Sequence, residues 1–254
     1  MDFLTPIGVF VAAMSVIGGF WLEGGHVAVL FQWQSACIVI GGTLGAVMIQ
    51  NSWARFADGI RLLVWVFSTP TPVDSTHLSN LLAWGKQAKR GGMLALESVN
   101  TDEVGDFAAR GLQLLANGVA TAVIDDALRR ELDAYERNQL AAAKIWQQAG
   151  GYSPTFGIVG AVLGLIHITG NISNPAELGK GISIAFVATL YGVGMANVIF
   201  LPVYGKIKSL IENELRYRKL YLDGILAIAR KESPGTIETR LLGDIRQSAS
   251  DKLV

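Results

Sequence analysis

GGYSPTFGIVGAVLGLIHITG, residues 150–170, holds six glycines, one proline and no charged side chain. Inside a soluble helix each glycine costs roughly 0.5–1 kcal/mol relative to alanine, so this composition argues against a soluble core helix. In lipid the balance differs. No hydrophobic effect drives apolar helices together there, and small residues let two backbones approach closely. Gly160-x-x-x-Gly164 has that spacing, as does Gly41-x-x-x-Gly45 upstream. The stretch reads as a membrane-spanning helix. Ser153-Pro154 suits an N-cap followed by a first-turn proline, so the spacing predicts that Pro154 starts it.

The rest of the chain fits that reading. It has 254 residues, 51% of them hydrophobic and only 17% charged. A soluble protein carries about a quarter charged residues. Charge-free windows lie at 3–22, 24–54, 145–176 and 181–205. Each can supply the roughly 20 apolar residues that a spanning helix needs. The fold class expected is therefore an all-α integral membrane protein. It has four transmembrane helices, a large helical insert between the second and third, and a helical tail. Segment boundaries fall at 1–54, 55–150, 151–205 and 206–254.

Lys and Arg set the orientation. Residues 55–144 carry ten and residues 206–252 carry ten more, while the connections at 23–32 and 171–180 carry only Lys180. The positive-inside rule places the insert, the tail and both termini in the cytoplasm. No removable signal peptide is expected, since the N-terminus lacks a basic region and a cleavage site.

Within the insert, residues 62–73 are apolar but too short to span, and Pro70 and Pro72 end any helix there. Residues 79–89 read helical, Gly91-Gly92 breaks that helix, 93–98 begin another turn, and 102–115 form a further helix. Residues 125–148 form the clearest soluble helix, with Leu128, Leu132, Tyr135 and Trp146 on its apolar side and Arg129–Asp133 as an i, i+4 pair. Residues 206–232 are amphipathic, with Glu212–Arg216 and Glu214–Arg218 pairs, until Ser233-Pro234-Gly235. The third and fourth spans are thus expected to continue into the cytoplasm as long rods able to carry motion.

Several chemistries are excluded. Net charge is zero, which gives nucleic acid no electrostatic footprint. His26, His77 and His167 are scattered and make no metal site. No nucleophile–base pair, phosphate loop or dinucleotide fingerprint occurs, so neither an enzyme nor a cofactor is expected. Cys37, the one cysteine, reads as a small buried apolar residue. No Asp, Glu, Lys or Arg lies in the four windows, where the polar groups expected at depth are Thr43, Thr189, Tyr191, Asn197 and, at the edge, His167. An ion translocator usually needs an ionisable group in the membrane. If this chain moves ions, a partner brings the carboxylate. Pro202 lies inside the fourth window, where it removes a hydrogen bond and crowds the carbonyl of Val198.

These residues resemble a known family. "GGYSPTFGIVGAVLGLI" in the third span, "FVATLYGVGMANVIFLPVYGKI" in the fourth, "AKRGGMLALES" in the insert and "SPGTIETRLL" in the tail are similar, in their places along the chain, to the MotA/PomA flagellar motor stator subunits. The likeness covers nearly the whole chain. It implies a ring of five copies around two copies of a MotB-type partner whose single span carries the ion-binding aspartate. It further implies a multi-pass protein of the bacterial inner membrane, surrounded by lipid, whose ring is driven round by ion flow and pushes on the rotor switch complex. By the resemblance Pro154 and Pro202 match the two prolines at the cytoplasmic ends of spans three and four. Thr189 matches the threonine facing the partner's aspartate. Lys89, Arg90 and Glu97 match the charged rotor-contact residues, with Lys89 and Arg90 sharing the basic position.

The coupling ion follows from the same resemblance. Sodium-driven members carry threonine where this chain has Ala161, and often a second where it has Ala188. A sodium ion must exchange water for hydroxyl and carbonyl oxygens, whereas a proton needs only an acceptor. The missing hydroxyls favour protons. The alternatives are a sodium-driven stator, an ExbB/TolQ-type energy-coupling subunit and a passive membrane scaffold. The ExbB/TolQ type has three spans and places its cytoplasmic domain differently.

Overall fold

The computed structural model describes residues 4–67, 75–99, 105–169 and 175–250. Among these, every regular element is a helix. In chain order they are α1 (Leu4–Leu22), a 3-10 turn (Val27–Leu30), α2 (Trp33–Ala36), a π-helical turn (Cys37–Gly41), α3 (Gly42–Gln50), α4 (Trp53–Arg61) and α5 (Leu63–Phe67). There follow α6 (Ser75–Gly91), a 3-10 helix (Met93–Ser98), α7 (Gly105–Ala116), α8 (Thr121–Thr169) and α9 (Pro175–Met195). A second π-helical turn (Ala196–Phe200), α10 (Leu201–Ala229) and α11 (Pro234–Ser250) complete the order. Four helical segments are long and apolar enough to cross a membrane: Leu4–Leu22, Val27–Gln50, Thr121–Thr169 and Gly181–Ala229. The expected all-α architecture with four spans holds.

The chain divides into two compact units, and α8 and α10 contribute to both. The first comprises 1–69 and 140–209. Its helices turn much of their apolar surface outward: Ile158, Val162, Ile166, Phe186 and Val193 are exposed. α1 has no buried residue at all. Surface of this kind suits hydrocarbon, not water. α4 starts at Ser52, whose side chain caps the Arg55 amide. It is held to α8 by a buried hydrogen bond of 2.9 Å from Trp146 Nε1 to the Gly59 carbonyl.

The second unit comprises 70–139 and 210–254. It has an ordinary sealed core, with Leu81, Phe107, Leu112, Leu128, Leu132, Tyr221, Ile225 and Leu226 buried. Arg218 lies inside this unit. Its Nε donates to Glu214 at 3.0 Å, and its guanidinium lies 3.7 Å from the centre of the Tyr135 ring. The Glu214–Arg218 pair expected at helical spacing therefore forms.

Four expectations need correction. Pro154 does not start a helix: it lies inside α8, an uninterrupted helix of 49 residues. The helix expected at 125–148 and the third span are one element. Second, Arg129 pairs with Asp125, at 2.6 Å, one turn towards the N-terminus from the partner expected. Third, the helix after the fourth span ends at Ala229, and Pro234 opens a new one, α11. Ser233 Oγ accepts from the Thr236 amide at 3.3 Å, so Ser233-Pro234 supplies here the cap and first-turn proline that Ser153-Pro154 does not. Fourth, the second span is not one regular helix. The π-helical turn Cys37–Gly41 interrupts it, and Cys37, expected to be buried, is exposed there. Phe31 and Gln32, at the end of the expected connection 23–32, are extended. Of the apolar run 62–73, residues 63–67 form α5 and 68–73 lie outside the described residues.

Candidate functional site

The glycines of the opening stretch form a seam between α8 and α9. A Cβ built on Gly157 would lie 3.0 Å from the Ala188 carbonyl oxygen and 3.3 Å from Thr189 Cα. One built on Gly164 would lie 3.1 Å from the Ala185 nitrogen. On the other helix, one built on Gly192 would lie 2.7 Å from the Ser153 carbonyl and 2.9 Å from Gly157 Cα. Such approaches are tighter than side chains ordinarily make to backbone, so these positions favour glycine while the helices stay where they are. Spacings near three and four residues put Gly157, Gly160 and Gly164 on one face. Ala185, Ala188 and Gly192 form the answering face. The glycines that argue against a soluble core are thus used for close backbone approach.

Ser153 is the seam's polar member. It is fully buried, and its Oγ donates to the Gly192 carbonyl at 2.9 Å. It tightens the seam one residue before Pro154. Inside a helix, proline deprives the carbonyl four residues back, that of Gly150, of its donor. Sequence reasoning named Ser153 only as a cap and missed Gly192. The signal that could have found the pair was Ser153 itself, a hydroxyl in a charge-free window, which lipid requires to find a partner.

Thr189 borders the seam at Gly157. It is partly exposed, and its Oγ1 donates to the Ala185 carbonyl of its own helix at 3.3 Å. Committing the proton to its own backbone leaves the oxygen lone pairs free to accept. Ala161, partly exposed, stands one turn after Gly157 on α8. Ala188 is fully buried, and a Cβ on Gly160 would stand 2.8 Å from its methyl. Packing alone therefore accounts for a small residue at 188, whereas Ala161 has room beside it. Pro202 is the second residue of α10, directly after the π-helical turn Ala196–Phe200. A wider turn is a known way for a helix to absorb the crowding that proline imposes on the carbonyl four residues back, here Val198.

The remaining candidates lie in the second unit. Lys89 and Arg90 are exposed in the last turn of α6. Gly92 then takes φ +78°, the left-handed conformation that glycine adopts without strain, and reverses the chain. The 3-10 helix Met93–Ser98 folds back against α6 and carries Glu97, also exposed. Gln87 Nε2 pins this reversal by donating to the Ala95 carbonyl at 2.7 Å and to Ser98 Oγ at 3.1 Å. Two basic residues and one acidic residue are thus displayed on a held turn, with Leu94 exposed between them. Among the described residues no His, Cys, Asp or Glu cluster could hold a metal ion.

Comparison with known proteins gives this geometry a context. Residues 6–88 match the Motility protein A N-terminal family, and residues 100–219 match the MotA/TolQ/ExbB proton channel family. Motility protein A of Bacillus subtilis is 32% identical over 95% of this chain and 90% of its own length. The C. jejuni MotAB structure superposes with a TM-score of 0.90 at 27% identity, covering 96% of each chain. The flagellar MotAB stator complex from Bacillus subtilis superposes with a TM-score of 0.87 at 32% identity, covering 97% of this chain and 96% of that one. The chain belongs to the Motility protein A branch of the MotA/TolQ/ExbB proton channel family.

Proposed function

We propose that this chain is the stator subunit of a bacterial flagellar motor, driven by protons and joined to a MotB-type partner. The observation that carries the reading is a pairing of opposites. The spans hold a glycine-tight seam with an acceptor hydroxyl, Thr189, beside it, yet no carboxylate in the four charge-free windows. The hydroxyl beside the seam supplies half of an ion path, and a partner's membrane aspartate completes it. Thr189, Ala161, Pro154 and Pro202 are assigned to that path. Lys89 or Arg90, with Glu97, contacts the rotor switch complex. Five copies surround two partner chains in the inner membrane, with both termini, the 55–150 insert and the 206–254 tail in the cytoplasm.

The mechanism uses the chain's own residues in three ways. Thr189 accepts a hydrogen bond near the partner's carboxylic acid and helps to order the proton's departure. The seam keeps α8 and α9 moving as one body. The two prolines leave carbonyls short of a backbone donor near the path's end. An ion crossing the membrane releases about 2.3 kcal/mol per 100 mV.

Swimming of a strain whose only stator contains this chain tests the reading. Loss of swimming with a protonophore, with indifference to sodium, is expected. Sodium dependence would overturn the assignment from Ala161. Undiminished swimming after deletion of the chain, with no second stator set, would favour the energy-coupling relatives.

A further inference from the structure

The connection 23–32 leads into span two through a break in the helix at its membrane end, and the break is mended by a residue of span four. Between the 3-10 turn Val27–Leu30 and α2, Phe31 and Gln32 are extended, so backbone groups there lose their helical partners. In hydrocarbon an unpaired backbone group costs several kcal/mol, and irregular backbone persists only where it is buried in protein or lines a water-filled cavity. Tyr191 of α9 satisfies two of these groups with one hydroxyl. It donates to the Leu30 carbonyl and accepts from the Gln32 amide at 3.2 Å. Two lesser ties flank it: Gln32 Nε2 to Ser183 Oγ at 3.1 Å, and Ser35 Oγ to the Ile184 carbonyl at 3.1 Å.

Tyr191 and Thr189 are two positions apart, about 200° around an α-helix. One therefore faces nearly away from the other. A two-bond anchor on the back of α9 fixes the helix's rotation, and that rotation decides where the front presents its hydroxyl. We infer that Tyr191 is a positioning residue of the ion path: by clamping α9 to the broken entry of span two, it holds Thr189 in register for the partner's acid. This rests on the assignment of Thr189 above.

The test is Tyr191→Phe, which keeps the ring and removes both bonds, read on tethered motors as stators join one by one. The number of torque steps counts assembled units. The height of each step and the proton flux report what a unit does. The expected result is a normal number of units, with flux per unit falling about tenfold, the shift in population that one or two lost hydrogen bonds produce. Fewer units of full step height would make Tyr191 structural only and overturn the inference, as would unchanged flux. If rings of Tyr191→Phe alone do not assemble, mixed rings with wild-type copies are read in the same way, and full step height there overturns it. Thr189→Val runs in parallel. Normal step height in that variant removes the underlying assignment of Thr189, a different result from failure of Tyr191→Phe alone.

Discussion

Gly157 of α8 and Gly192 of α9 meet backbone to backbone, with no room for a side chain at 192. A methyl group there would stand 2.9 Å from Gly157 Cα and 2.7 Å from the Ser153 carbonyl. Gly192→Ala must part the two helices. Overpacking of this kind typically costs about 1–3 kcal/mol. The expected outcome is a lower melting temperature of the detergent-solubilised complex, together with lost motility. Gly194→Ala is the control, since a Cβ there meets no atom within 4 Å. Equal stability of the two variants would mean the seam does not set the packing.

Thr189 supplies a hydroxyl whose proton is already committed to Ala185. Thr189→Ser keeps the acceptor and should keep most of the flux. Thr189→Val, of the same shape, should lose it while the ring still assembles. Proton uptake by vesicles carrying the complex measures both. Similar flux in the two variants would remove Thr189 from the path.

Arg218 is part of the second unit's interior, with its side chain 18% exposed against Glu214 at 16%. Removing it strands a mostly buried carboxylate and uncovers the Tyr135 ring. Arg218→Ala should destabilise the unit by about 2 kcal/mol, less than a fully buried pair would because water still reaches both groups. Arg218→Lys should recover part of that, since an ammonium lacks the planar fork. Hydrogen exchange of 105–139 reports the change. Full protection in Arg218→Ala would show that the aromatic packing suffices alone.

Lys89, Arg90 and Glu97 lie exposed around the turn after α6. Isolated surface charges contribute about 0–1 kcal/mol to folding, so Glu97→Lys should leave stability unchanged. Its expected effect is fewer stators engaged at the rotor, with proton flux per unit intact. Separate Lys89→Ala and Arg90→Ala variants decide which makes the contact. Altered proton leak in Glu97→Lys would put the residue on the wrong side of the mechanism.

The spans were legible because twenty uncharged, mostly apolar residues in a row suit little besides a bilayer. The break at Gly91-Gly92 was legible because a left-handed residue favours glycine. What escaped was decided at a distance. Ser153-Pro154 and Ser233-Pro234 are the same dipeptide, yet one sits within a helix and the other begins one. Ser153 gives its hydroxyl to the carbonyl of Gly192, 39 positions away, whereas Ser233 keeps its own for the Thr236 amide. The break in span two carries no glycine or proline to announce it, and its mending hydroxyl lies 161 positions from Leu30. The individual path and rotor residues came from likeness to a family, since spacing alone does not select one threonine or one surface glutamate over another.

α1 fully buries none of its nineteen residues within its own subunit, and only Thr5, Ala12, Gly18 and Phe20 are half-buried. What this stretch gives one subunit is therefore length and oiliness. Exchanging one exposed aliphatic side chain for another there disturbs no packing inside the subunit, whereas an arginine at its middle adds about 2.5–3.5 kcal/mol to insertion. Over generations its spelling is free to wander while its character is not, and related chains can be expected to disagree most where this one crosses the bilayer first.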